Sequence, residues 1–190
     1  MRKIYGLGVN DANYKVRVKT EGVVVICPFY ARWHSMMTRC YSEVFLRRHP
    51  SYTGSFVCTE WLTFSNFKAW METQDWEGKE LDKDLLFKGN REYRKDKCIF
   101  VNHSVNSFIT HVQKSNTNGM IGVTKVGERY RVSIKNKHFG YFDTKLEAIN
   151  VWTSSKIEEA NNLAYDQDDE RVKLALVNYF KTEGIPNASE

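Results

Sequence analysis

The residues from Arg129 to Lys135 alternate in a way that could read duplex DNA. In an extended strand Arg129, Arg131, Ser133 and Lys135 project from one face, and Tyr130, Val132 and Ile134 from the other. Arginine can meet a guanine edge with two parallel hydrogen bonds, while lysine and serine hold phosphate oxygens. Lys125, Lys137 and Tyr141, on adjoining segments, join this candidate interface. A polar outer face is also what any half-buried strand shows, so a solvated sheet surface is the competing reading. Further upstream, Asp82 and Asp84 lie two residues apart, which places both carboxylates on one strand face. His103 precedes Asn106 by one helical turn. Carboxylate and amide oxygens are donors that a divalent cation can take. The competing reading of Asp82, Lys83 and Asp84 is a solvated strand end.

These residues need elements to position them. Residues 14–27 alternate and then run apolar, which predicts a short hairpin. Residues 29–46 carry Tyr30, Trp33, Met37, Cys40, Tyr41 and Val44 at helical spacing, and Pro50 stops that helix. Thr59 is expected to cap a second helix with Trp61, Phe64, Phe67, Trp70 and Met71 on one face. The stripe reads as core; exposure of Trp33, Trp61 and Trp70 together would instead make a surface for a protein partner. Then follow a strand (80–87), a Gly-Asn turn, a strand (97–101) and a helix (103–113). The polar segment 115–119 reads as a linker. Strands are predicted at 120–125, 128–135 and 138–142, and a helix at 143–162 in which Thr144 and Glu147 stand at capping-box spacing. Leu146, Ile149, Val151 and Trp152 would cover the apolar side of the sheet. An amphipathic helix at 168–181, buried through Val172, Leu174, Val177 and Tyr179, closes the chain. The expected architecture is α+β in three parts: 1–114, 115–162, and an acidic helix and tail at 163–190.

Composition sets the wider bounds. The 190 residues are 42% hydrophobic and 14% aromatic, which suits a folded chain. The net charge is +5. Residues 1–112 hold 17 Lys/Arg against 12 Asp/Glu, residues 113–162 hold 8 against 5, and residues 163–190 hold 3 against 6. The basic charge therefore lies ahead of the tail, compatible with a polyanionic partner. No segment approaches the ~18 apolar residues of a membrane span, and the N-terminus has no apolar run, so a cytoplasmic setting is expected. Four cysteines (Cys27, Cys40, Cys58, Cys98) lack the paired spacing of zinc knuckles and are expected as free thiols, with a zinc site as the alternative. No heptad seam predicts a dimer, and no small-molecule cofactor is expected.

Two stretches resemble known families. Gly122–Val123, the Arg129/Arg131 strand, Gly140–Tyr141–Phe142–Asp143–Thr144 and Glu147–Ala148–Trp152 are similar to the Apetala-two-type DNA-binding domain of plant ethylene-response factors and of many phage endonucleases. That resemblance implies a three-stranded antiparallel sheet and helix that enter the major groove of double-stranded DNA. Trp33–Tyr41, Val57–Trp61 with Phe64, Leu81–Tyr93, Lys97–Val101 and Asn106 resemble the phage HNH-type homing endonucleases, which carry a strand–loop–strand–helix unit and use Mg²⁺ or another divalent cation. On that resemblance Asp82, Asp84 and Asn106 are the metal ligands. Asp82, Lys83 and His103 are the catalytic candidates, with Lys83 standing where the family has its general-base histidine and Lys97 where it has an asparagine. Lysine is protonated at neutral pH and makes a poor base. The resemblance thus implies either a metal-dependent endonuclease or an inactive DNA-binding relative acting as a regulator or inhibitor, the latter with room for a protein partner.

Overall fold

The computed structural model describes residues 3–117, 122–135 and 137–181. The architecture is mixed α+β, with small sheets and helices that divide into two compact units, Met1–Val101 and Asn102–Glu190. Among the described residues no helix is long and apolar enough to cross a membrane.

In the first unit, β1 (Arg17–Thr20) and β2 (Val23–Ile26) form the expected hairpin. Helix α1 (Pro28–Tyr41) and helix α2 (Glu43–Arg48) replace the single helix predicted over 29–46. The break falls at Ser42, whose backbone is extended and whose hydroxyl accepts a hydrogen bond from the Phe45 amide; a good cap ended one helix and began another. A similar revision applies at Thr59. Residues 59–62 form a single 3₁₀ turn, and α3 (Phe64–Met71) starts after Thr63. The aromatic stripe is core as read: Trp33, Trp61, Phe64, Phe67 and Met71 are fully buried with Met36, Met37, Tyr93 and Cys98. Trp33 donates its indole N–H to the Trp61 carbonyl at 2.7 Å, so one ring fills the core and fixes the turn above it. Trp70 is half-buried and stacks on Phe100, which leaves no surface patch of three tryptophans.

Two short strand pairs complete this unit. Strand β3 (Phe56–Val57) runs parallel to β5 (Glu92–Tyr93), a pairing with no counterpart in the predicted elements. Strand β4 (Glu80–Asp82) is antiparallel to β6 (Ile99–Val101). β4 is shorter than predicted because the chain turns sharply at Asp82.

In the second unit, α4 (His103–Thr117) runs through the first half of the predicted linker; residues 118–119 lie outside the described residues. Its Val105, Phe108, Ile109 and Val112 are buried, and the Phe108 ring lies 5.8 Å from that of Tyr179. Helix α4 therefore groups with the segments after it rather than with residues 1–101, and the boundary expected near residue 115 falls at residue 102. Strands β7 (Val123–Val126), β8 (Arg129–Ile134) and β9 (Lys137–Phe142) form one antiparallel sheet in that order. Helix α5 (Lys145–Tyr165) packs on it, and both bonds of the Thr144–Glu147 capping box are made. Ala148, Ile149 and Trp152 cover the sheet, while Leu146 is exposed: the apolar stripe keeps a 3.6-residue period that leaves position 146 outside. Helix α6 (Glu170–Asn178) packs against α5 through Val172, Leu176 and Tyr179; Leu174 and Val177, expected inside, face water for the same reason.

Close approach fixes one glycine. The Ser133 amide donates to the Gly122 carbonyl at 2.7 Å, and a Cβ on Gly122 would stand 2.4 Å from the Ser133 carbonyl oxygen, at a φ of +102°. Gly122→Ala is expected to destabilise the second unit by on the order of 1–3 kcal/mol, read as a lower urea midpoint. An unchanged midpoint would mean that the sheet edge moves away at little cost.

Candidate nucleic-acid interface and the Asp82–Asn90 loop

The three-stranded sheet presents two chemically distinct faces. Val132 and Ile134 are buried under α5, and Arg129, Arg131 and Tyr141 are exposed on the other side with Ser133 partly covered. Cross-strand partners share a face, so the register completes the open side. Thr124 and Tyr141 flank Arg131, Val126 stands beside Arg129, and His138 beside Ser133. One extra residue in β9 shifts the register between Val132 and Ser133, and this bulge brings His138 to the open face. The His138 and Tyr141 rings lie 5.3 Å apart, edge to face.

Three residues of the predicted interface stand elsewhere. Lys125 pairs with Tyr130 and Lys137 with Ile134, so both belong to the helix side of the sheet. Lys135 occupies the tight turn after β8 at a φ of +47°, and its ammonium pairs with Glu159 of α5. The turn ended the strand one residue early and redirected that side chain. Burial raises the Glu159 pKa, but hydrogen bonds from Lys135 and Lys156 outweigh it and hold the carboxyl below its ordinary range.

The two arginines differ in freedom. Arg129 is held by Asp143 at 2.9 Å and by the Tyr141 carbonyl at 3.0 Å, with its guanidinium 5.9 Å from the Tyr141 ring centre. Arg131 has no carboxylate partner among the described residues and projects between Thr124 and Tyr141. Sequence reading missed Thr124 and Asp143. The signal for Thr124 was present in the two-residue turn Gly127–Glu128, which sets Val126 opposite Arg129 and hence Thr124 opposite Arg131.

The first unit carries Asp82, Lys83 and Asp84 in a loop closed by Asn90. The carboxylate of Asp82 is buried at the end of β4, and its Oδ1 accepts from the amides of Asp84 (2.9 Å) and Leu85 (2.7 Å). This is the local turn that short acidic side chains favour. Lys83, only 6% exposed, donates to both Asp84 oxygens at 2.8 and 2.7 Å and to the Asn90 carbonyl at 3.0 Å. Tyr52 and Tyr93 rings lie about 6 Å from the ammonium. The Asn90 amide in turn donates to the carbonyls of Lys83 and Glu92, both at 2.8 Å. Lys97 pairs with Glu92 at 2.8 Å. His103 and Asn106 lie on the first turn of α4 in the other unit, where the His103 Nε2 is 3.2 Å from the Ser107 hydroxyl.

Chemically, this loop does not match a divalent-cation site. A metal needs open carboxylate oxygens, yet both Asp84 oxygens face an ammonium and one Asp82 oxygen is committed to two amides. Lys83 Nζ has three acceptor oxygens within hydrogen-bond distance. Among the described residues no group of three or more His, Cys, Asp or Glu side chains is placed to hold a metal. The cysteines are free thiols; Cys40 and Cys98 are buried, and burial pushes the Cys40 thiol up to about 12. Comparison with protein-family models, with curated proteins and with solved structures finds no match to the chain.

Burial pushes the Asp82 carboxyl up to about 6; the nearby Asp84 charge adds to this, and the Leu85 and Asp84 amides and Lys83 oppose it. A carboxyl that binds its proton more tightly when folded loses stabilising effect as pH rises from the unfolded value near ~4 to the folded value, and then levels off. Asp82→Asn keeps the turn acceptor and removes the buried charge. The variant is expected to be more stable than the native chain by roughly 1–3 kcal/mol at pH 8, with the difference vanishing by about pH 4. Urea unfolding at several pH values measures it; a variant less stable at pH 8 would show that the Asp82 charge is needed.

Proposed function

We propose that this chain binds duplex DNA through the open face of its three-stranded sheet, and that it does so without cleaving the strand. The observation that carries the reading is the separation of the sheet into an apolar side under α5 and an exposed side bearing Arg129, Arg131, Ser133, Thr124, His138 and Tyr141. A twisted three-stranded sheet with two arginines and small polar side chains on one face fits a major groove, where arginine meets base edges and hydroxyls meet phosphate. The order sheet, capping box, covering helix supports the likeness to the Apetala-two-type domain. The order β4, loop, β6, α4 likewise supports an HNH-like ancestry for the front of the chain.

The case against cleavage rests on Lys83. An HNH-type reaction needs a divalent cation on the carboxylates and a base that takes a proton from water. Lys83 is a buried counter-ion of Asp84 and supplies to that carboxylate the positive charge that a metal would bring. The protein is then a binder of DNA, acting by occupancy as a regulator or inhibitor.

Binding and cleavage are separable in one set of experiments on the full chain. Fluorescence anisotropy with duplex DNA is expected to show affinity that falls steeply with salt. Arg131→Ala should weaken specific binding by about 1–3 kcal/mol, roughly tenfold or more. Asp143→Asn, which releases Arg129, should strengthen binding severalfold. Supercoiled plasmid should stay intact with Mg²⁺, Mn²⁺ or EDTA alike. Duplex binding that ignores salt and Arg131 would overturn the binding reading. Metal-dependent nicking that disappears in Asp82→Ala would restore the endonuclease.

A further inference from the structure

We propose that two copies of this chain associate through the free edge of β2, joining their hairpins into a four-stranded antiparallel sheet. This is independent of the DNA-binding reading. The hairpin β1–β2 is a two-stranded sheet on its own, and among the described residues no third strand pairs with it. Isolated two-stranded hairpins are marginal in water. This one is also unusually apolar for its exposure: Val23 is 64% exposed, Val24 50% and Val25 59%. Exposed edge strands in soluble proteins are normally guarded by a charge, a proline or a bulge. Strand β2 carries none of these.

Hydrogen-bond geometry shows which groups are free. The turn Glu21–Gly22 has positive φ at both positions, as a two-residue hairpin turn requires, so Thr20 and Val23 form the first bonded pair. Bonded pairs alternate from there, and the Cys27 amide donates to the Val16 carbonyl at 2.9 Å in the same phase. Val24, opposite Lys19, is therefore a non-bonded position whose N–H and C=O point away from β1. A second β2 laid antiparallel across a two-fold axis at Val24 pairs Val24 with its own mate and Val23 with the mate of Val25. The edge is complementary to itself, as a two-fold interface must be. Val18, Val23 and Val25 of both copies then form one apolar face, since Val18 pairs with Val25 within the hairpin.

Charge selects β2 over β1 as the edge that a second copy can meet. Strand β1 exposes Arg17 and Lys19, with Lys15 just before it, whereas β2 is neutral. Pairing through β1 would set these cations side by side. Pairing through β2 puts the two β1 strands at opposite rims, three strand spacings or roughly 14 Å apart, beyond the ~8 Å screening length of physiological salt.

Sedimentation velocity of the full chain over a wide concentration range tests this. The native chain is expected to be a dimer that dissociates on dilution. Val24→Lys and Val24→Glu should each be monomeric, and an equimolar mixture of the two should recover the dimer, because lysine and glutamate then face each other on the axis. Val24→Pro removes only the outward N–H and should also be monomeric; far-UV circular dichroism checks that each variant folds. Should Val24→Pro fail to fold, the charge pair decides alone. A native chain that stays monomeric at every concentration overturns the proposal and leaves the valine edge to a different partner. So do charge variants that dimerise singly, or a mixture that stays monomeric.

Discussion

A buried ammonium must find a carboxylate, and each unit of this chain contains one such pair. Lys83 in the first unit meets both oxygens of Asp84, with Tyr52 and Tyr93 about 6 Å away. Lys156 in the second is wholly buried; it meets Glu159 at 2.7 Å, with Phe108 and Trp152 rings at similar range. Taking such a charge out of water costs several kcal/mol, and removing either partner of a buried pair costs about 3–5 kcal/mol. The backbone around each pair is accordingly committed. Asn90 closes the Asp82–Lys83–Asp84 turn, and Glu159 also takes Lys135 from the turn that ends β8.

In the first unit this constraint fixes a loop. Both Asp84 oxygens face the Lys83 ammonium, which also donates to the Asn90 carbonyl. Asp82, Lys83, Asp84 and Asn90 together make a loop whose polar groups are satisfied by one another.

In the second unit the consequence is division of labour between sheet faces. Lysines 135 and 137 and Lys125, which look like part of a basic reading surface, are drawn to the helix side by the turn, the register and Glu159. What remains on the open side is sparser: Arg129 tethered to Asp143, Arg131 with no carboxylate partner among the described residues, two hydroxyl side chains, a valine, an imidazole and a tyrosine.

Sequence alone determined the elements whose signals are local. The three strands and their covering helix followed from two-residue alternation, tight turns and the Thr144–Glu147 box, and the aromatic stripe at 61–71 followed from helical spacing, because such patterns are set by neighbours along the chain. Asp82, Lys83 and Asp84 were legible as residue types but not as an arrangement. Whether Lys83 would reach Asp84, a metal-bound water or solvent depended on Asn90, Tyr52 and Tyr93, which come from distant positions. Tertiary structure also decided the parallel pairing of β3 with β5, the transfer of α4 to the second unit, and the sides on which Lys125, Lys135 and Lys137 stand. The β9 bulge and the Glu159 carboxylate act across the sheet and the helix; alternation within one strand carries no record of them.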